Sequence, residues 1–299
     1  MDVAPEFEEP RASASDAFSD AVTISFGDLE RRVYGTVRLG LAGGTQASGL
    51  VVLFHGDAIA TVSAEGGLPV ADASTWAGVQ AAGIDLETVE PLRSWRCSFA
   101  GDEASFDLEL EACGPPGALD DRGAVAKLGG MAGYEQPVRV RGSADIGGTR
   151  VRIDGLGQRG RSWGEPDWSG ISRTRTVGAW FDDHAVTIAA IAKDGADGHG
   201  SDAIAGTLFA PGPEGSAVAT TIGDPRLSTT FDGEGRQRRA TFELWVTDDG
   251  PPIRAAAEVL CGTTLDLGRL RLDTALLRWA GSDGEPGVGR YDVLRRADD

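Results

Sequence analysis

A chain of 299 residues with 41% hydrophobic content is long enough to bury a sizeable core, in one domain or two. Its formal charge of −18 argues against a nucleic-acid partner, which needs a basic face for counterion release, and disfavours anionic membrane surfaces. Three cysteines (Cys97, Cys113, Cys261) and three histidines (His55, His184, His199) are scattered without a C-x-x-C or paired-ligand spacing. They predict reduced thiols in a cytoplasmic compartment and no metal site.

The first residues, "MDVAPEFEEPRASASDAFSD", are acidic and lack the apolar stretch of a signal peptide, so residues 1–20 read as a flexible N-terminal arm. No apolar run approaches the length that spans a bilayer, so no integral membrane segment is expected. Beyond the arm, short apolar runs alternate with polar residues and stop at Gly, Asp or Pro. Ser48–Ala64 reads as two strands around a tight turn. "WRCSFAGDEASFDLELEA" repeats this around Gly101-Asp102, with Phe106, Leu108 and Leu110 on one face. "VRVRGSADIGGTRVRIDG", "VGAWFDDHAVTIAAIA", "RATFELWVTDDGPPIRAAAEVL" and "RLRLDTALLRWAG" continue the pattern. Period-two alternation punctuated by turn residues is the signature of an antiparallel barrel or sandwich, and the class is all-β. Ala71–Ala82 offers at most a helical turn or two.

A weak repeat accompanies the strands. Ser48–Ala64 resembles Val177–Ala192, the hairpin from Ser98 resembles the one from Thr229, and "GQRGRSWG" falls where "GVGRYDVL" falls near the end. Duplication of a β unit of roughly 130 residues would give such offsets, although one β-meander also resembles another. The domains are then 21–169 and 170–299, and the stretch "GLGQRGRSWGEPDW" (Gly155–Trp168) lies at their seam, where ligand sites often form.

That stretch fits two familiar patterns. Gly155–Gly160 matches a dinucleotide-binding turn, but Gly164, Pro166 and Gly170 leave no helix to hold a pyrophosphate. Gly160–Gly164 matches a serine-hydrolase elbow around Ser162, with His184 downstream, yet the helix is again missing, and a backbone-bonding hydroxyl is the plainer role. What remains is chemistry of the side chains themselves. Trp163, Trp168 and Trp180 supply aromatic surface, and Glu165 and Asp167 supply carboxyls whose pKa would rise in an apolar pocket. Aromatic faces can also steady a cation. The alternative is that the tryptophans anchor cores and the carboxylates are solvated turn residues.

The run "GYEQPVRVRGSADIGGTRVRIDGLGQRGRSWGEPDW" resembles the core of the carotenoid 1,2-hydratase-like superfamily, also called hydroxyneurosporene synthase-like, which includes AttH-like proteins. The resemblance is specific over Gly133–Trp180, with "PLRSWRCSF" also similar. It implies two tandem lipocalin-like β-barrels with few short helices. It also implies hydration, dehydration or cyclisation of isoprenoids or polyenes without a metal or organic cofactor. Arg159, Ser162, Trp163, Gly164, Asp167 and Trp168 match the family motif by position. Two departures stand out: the family's Asp-His pair is Gly160-Arg161 here, and a later Arg is Pro166. An acid–base pair is lost there, so the acid moves to Glu165, Asp167 or Asp154, or the reaction differs, or the protein only binds.

The resulting expectation is a cofactor-independent hydratase, dehydratase or cyclase for a hydrophobic isoprenoid, working through a carbocation-like intermediate. Asp167 is the expected proton donor and Glu165 the second choice. Trp163, Trp168 and Trp180 are the expected pocket walls, Tyr134 a hydroxyl partner, and Arg159 and Ser162 further substrate contacts. A non-catalytic lipid or terpenoid carrier is the rival reading, and a Ser162 esterase a weaker one.

Overall fold

The computed structural model describes residues 2–11, 13, 15–70, 73–119, 122–195, 202–212, 215–247 and 250–297. Two compact units divide the chain. Residues 1–118 with 131–166 form unit 1, and residues 119–130 with 167–299 form unit 2.

Unit 1 carries β1 (Ser19–Asp28), β2 (Val33–Ala42), β3 (Gln46–His55), β4 (Ala58–Pro69), β5 (Ile84–Glu90), β6 (Ser94–Ala100), β7 (Ala104–Ala112), β8 (Gly117–Ala118), β9 (Met131–Ile146) and β10 (Thr149–Gly164). They form one antiparallel sheet in the order β4-β3-β2-β1-β10-β9-β7-β6-β5, with β8 paired to β9. Alternation builds it as expected. Trp95, Cys97 and Phe99 of β6 and Phe106, Leu108 and Leu110 of β7 are buried, while the intervening Arg96, Asp107 and Glu109 are exposed. Each such buried leucine or phenylalanine contributes about 1.5–3 kcal/mol relative to exposure. The β9–β10 hairpin turns on Gly147 and Gly148 between the paired Ile146 and Thr149. Both glycines have positive φ (57° and 76°), the requirement of a two-residue turn that matches strand twist.

Unit 2 carries α1 (Ala124–Gly129), β11 (Ile171–Trp180), β12 (Ala185–Lys193), β13 (Ala203–Pro211), β14 (Ala217–Ile222), β15 (Arg226–Phe231), β16 (Gln237–Leu244), β17 (Ile253–Asp266), β18 (Leu270–Gly281) and β19 (Pro286–Arg296). Its sheet runs β14-β13-β12-β11-β19-β18-β17-β16-β15, the same path as unit 1 once β8 is set aside. Each sheet curls into a half-barrel, and the fold is the tandem lipocalin-like all-β class. This strand order pairs β10 with β19, as the repeat suggests, but it pairs β3–β4 with β13–β14. The likeness of Ser48–Ala64 to Val177–Ala192, which is the β11–β12 hairpin, is therefore out of step, and so is that of the Ser98 hairpin (β6–β7) to the Thr229 one (β15–β16), because the order sets β6–β7 against β16–β17.

The one α-helix, α1, fits the few short helices expected; it stops at Gly130 in the left-handed conformation and packs on β12 and β13. Two other expectations need correction. In the first, Gly155–Gly164, which fits two turn motifs, is not a turn but the second half of β10, between β1 and β9. Gly155 and Gly157 answer to close backbone approach: a Cβ on Gly155 would lie 2.3 Å from the Gly27 carbonyl oxygen, and one on Gly157 2.5 Å from that of Ser25. The second is the N-terminal arm. Pro5–Glu8 forms a 3₁₀ turn, and Glu8 is buried. An acidic segment can pack this way only if cations wait for it inside, and two do.

Candidate functional site

Strand alternation puts Arg159, Arg161 and Trp163 on one face of β10, the face that also carries Ile153 into the apolar core of unit 1. Both arginine side chains have zero exposure. The counterpart strand in unit 2, β19, turns Tyr291 and Val293 into its core instead. Burying two guanidinium groups costs heavily unless each meets an anion and satisfied hydrogen bonds.

Arg161 is satisfied mainly from the sheet. Its Nη1 donates to Asp20 Oδ1 at 2.7 Å and to the Ala21 carbonyl at 3.0 Å, both on β1. Its Nε and Nη2 donate to the carbonyls of Phe7 (3.2 Å) and Glu9 (2.9 Å), pinning the N-terminal segment. Trp76 stacks under the guanidinium at 4.6 Å and donates its indole N–H to the Glu8 carbonyl at 2.9 Å.

Arg159 grips the Glu8 side chain. Nη1 donates to Oε1 at 3.0 Å and Nη2 to Oε2 at 2.5 Å. Tyr134 Oη on β9 donates to Oε1 at 2.6 Å, and Trp95 Nε1 on β6 donates to Oε2 at 3.0 Å. One carboxylate thus receives four hydrogen bonds, two of them from a guanidinium fork. Arg159 Nη1 also lies 3.3 Å from Tyr134 Oη, and the guanidinium stacks 4.6 Å over Trp95. Burial pushes the Tyr134 phenol pKa up, against the opposing pull of Arg159, so Tyr134 stays protonated. Trp163 completes the wall, edge-on to Tyr134 at 6.4 Å and to Phe7 at 5.6 Å, with Arg11 stacked over it at 3.9 Å.

Of the expected site residues, the structure therefore brings Tyr134, Arg159 and Trp163 together. It does not add the others. Asp167 and Glu165 are exposed, beyond the end of β10. Asp167 accepts from the Ser169 hydroxyl and backbone N–H, which lowers its pKa and keeps it ionised, the reverse of what a proton donor requires. Asp154 is likewise held low, first by its hydrogen bond from Arg139. Trp168 packs beside Val125 and Ile171 of unit 2, and Trp180 is a buried residue of β11 in that unit. Ser162 sits within β10 opposite Ala21 and Gly133, not on a strand-to-helix turn, which removes the elbow geometry of an esterase.

Five residues that sequence reasoning missed now matter: Glu8, Asp20, Trp76, Trp95 and Glu135. The last bears on the lost Asp-His pair. A Cβ on Gly160 would meet Glu135 Oε2 at 2.2 Å, and Gln158 Nε2 donates to that oxygen at 2.6 Å. A carboxylate thus stands against position 160 although the residue there is glycine. Scattered spacing also misses Asp183, His184 and Glu285, whose ligand atoms lie within 4.8 Å of one another. His184 stacks on Phe181 at 4.3 Å and lies 2.5 Å from Asp183 Oδ1; His199 falls outside the described residues. Among the described residues no helix is long and apolar enough to cross a membrane.

Solved structures share this fold at low identity. An AttH protein of Nitrosomonas europaea matches with TM-score 0.66 at 13% identity, covering 93% of this chain and 92% of that one. CghA, solved with Sch210972, matches at 0.68 and 12%, covering 94% and 89%. Kievitone hydratase from Nectria haematococca matches at 0.64 and 10%, covering 99% and 93%. No curated protein matches the sequence. The model of one family, described as "Domain of unknown function (DUF7064)", matches residues 4–297.

Proposed function

We propose that this chain, which belongs to the family described as Domain of unknown function (DUF7064), is a hydratase-, dehydratase- or cyclase-type enzyme for a hydrophobic polyene or isoprenoid. The site is the interior of unit 1 at Arg159 and Tyr134. One observation carries the reading: three donors from three strands (Trp95, Tyr134, Arg159) converge on a single point inside an aromatic-walled core. That point is held by the Glu8 carboxylate, and donors so arranged favour negative charge growing on a substrate oxygen that takes its place. Kievitone hydratase and this chain share the fold, which adds weight to a hydratase-type reaction.

In the hydration direction, water's oxygen bonds to the far carbon of a double bond conjugated to the held oxygen. The π pair moves onto that oxygen, where Arg159 balances the charge and Tyr134 lends its proton. The proton released by water then goes to the near carbon, and Tyr134 recovers its own. Dehydration is the reverse, and cyclisation replaces water by another part of the substrate. A carbocation beside Arg159 would meet a fixed positive charge, so the aromatic residues serve as walls in this reading.

A non-catalytic carrier is the second reading, and one observation favours it. The burial that holds the Tyr134 proton also makes the phenol a poor acid. The test is product analysis by mass with a panel of terpenes and polyenes, including carbonyl-conjugated members. Tyr134→Phe should lower turnover by about 10²- to 10⁴-fold while leaving binding in place. Binding without turnover across the panel would establish the carrier, and a panel in which nothing binds would sink both readings.

A further inference from the structure

We infer that the fork of Arg159, Tyr134 and Trp95 is a receptor for the carboxylate of an otherwise apolar acid, and that Glu8 occupies it as an internal stand-in. The inference rests on the interior of unit 1 being the ligand site, and it names the class of that ligand.

The receptor and its occupant differ in how they are built. The three donors sit on β6, β9 and β10, inside a continuous sheet. The carboxylate comes from a four-residue 3₁₀ turn that the sheet holds through side chains, Arg161 donating to the Phe7 and Glu9 carbonyls and Trp76 to that of Glu8. The two buried arginines differ in the same way. The charge of Arg161 is balanced by Asp20, which belongs to β1. The charge of Arg159 is balanced, among the described residues, by Glu8 alone. When the N-terminal segment withdraws, Arg161 keeps its counter-ion and Arg159 loses its own. An unpaired guanidinium inside the sheet is costly, so the withdrawn state favours another anion in the fork.

The chemistry of that anion follows from the donors. A flat, two-oxygen monoanion matches the end-on Nη1/Nη2 pair, with the phenol and the indole each taking one oxygen. A phosphate dianion would ask for more than the single positive charge available. Behind the carboxylate position the withdrawing segment also vacates the space of Phe7, which packs edge-on against Trp163 at 5.6 Å. The ligand body there is apolar.

Glu8 is tethered, so it competes at the effective concentration of an intramolecular group, of order mM for a short tether. A free acid at μM concentration therefore binds the wild-type chain weakly and gains when Glu8 is removed.

The experiment is fluorescence titration of the full chain with cis-parinaric acid and with its methyl ester. Glu8→Ala should bind the acid about tenfold or more tighter than wild type and leave the ester nearly unchanged. Adding Arg159→Gln to Glu8→Ala should erase the preference for acid over ester. Equal gains for acid and ester would mean that Glu8 merely fills space, and a preference that survives without Arg159 would misplace the receptor; either result overturns the inference while ligand binding in unit 1 stands. Failure of both probes to bind any variant would remove the ligand site itself. Should Glu8→Ala not fold, Glu8→Gln keeps the side-chain volume with a weaker occupant; it should show the same order with a smaller gain, and no gain overturns the inference.

Discussion

Removing one partner of the Glu8–Arg159 pair should damage unit 1 far more than removing both. Both side chains have zero exposure, and the carboxylate accepts four hydrogen bonds. Glu8→Ala strips Arg159 of its anion and leaves Tyr134 and Trp95 without an acceptor. Breaking a buried pair on one side costs about 3–5 kcal/mol. For a unit of this size each kcal/mol is worth about 2–4 °C, so the transition of unit 1 should fall by roughly 10 °C. Glu8→Leu/Arg159→Met removes both charges and nearly keeps the volume, and should recover most of that loss but not all of it, because Tyr134 and Trp95 still lack an acceptor. Calorimetry in chloride buffer can resolve two transitions, which matters because two units need not unfold together. A Glu8→Ala cost under about 1 kcal/mol, or a double variant weaker than the single one, would refute a buried, mutually dependent pair.

Three further outcomes follow. Asp167→Asn should leave turnover and ligand binding unchanged, because Asp167 is an exposed carboxylate bonded to Ser169; lost turnover at an unchanged melting temperature would return it to the chemistry. Burial raises the pKa of Asp292, with Arg290 and the Thr274 hydrogen bond opposing. Its folded pKa then lies above its unfolded one, so its contribution is present at low pH and lost as pH rises through the folded value. Asp292→Asn should therefore stabilise unit 2 more at pH 8 than at pH 4 in thermal unfolding, and the opposite order would contradict the sign. Gly160→Asp alone should cost about 1–3 kcal/mol in urea unfolding by crowding Glu135, and adding Glu135→Gly should relieve it; a tolerated single variant would show that Glu135 stands elsewhere.

The strand pattern of this chain is legible because alternation is a local property, and β6 and β7 bury the very residues that a period of two selects. The glycines of β10 mislead for an equally physical reason. Glycine marks a tight turn or a close backbone approach with the same letter, and only the neighbouring strand β1 decides between them. The arginines are half legible. The same period of two sets Arg159 and Arg161 on the face of Ile153 and Trp163, and two guanidinium groups facing a core require carboxylates inside it. Which carboxylates is not a local question. Glu8 and Asp20 lie 151 and 141 positions from their partners, and no spacing rule links them. Proximity in the chain favours Glu165 and Asp167 instead, but β10 ends at Gly164 and carries both past the edge of the sheet. An acidic N-terminal segment and a pair of inward-facing arginines are each ambiguous when taken alone. Read together, they predict one another, because each charge can be buried only where the other is.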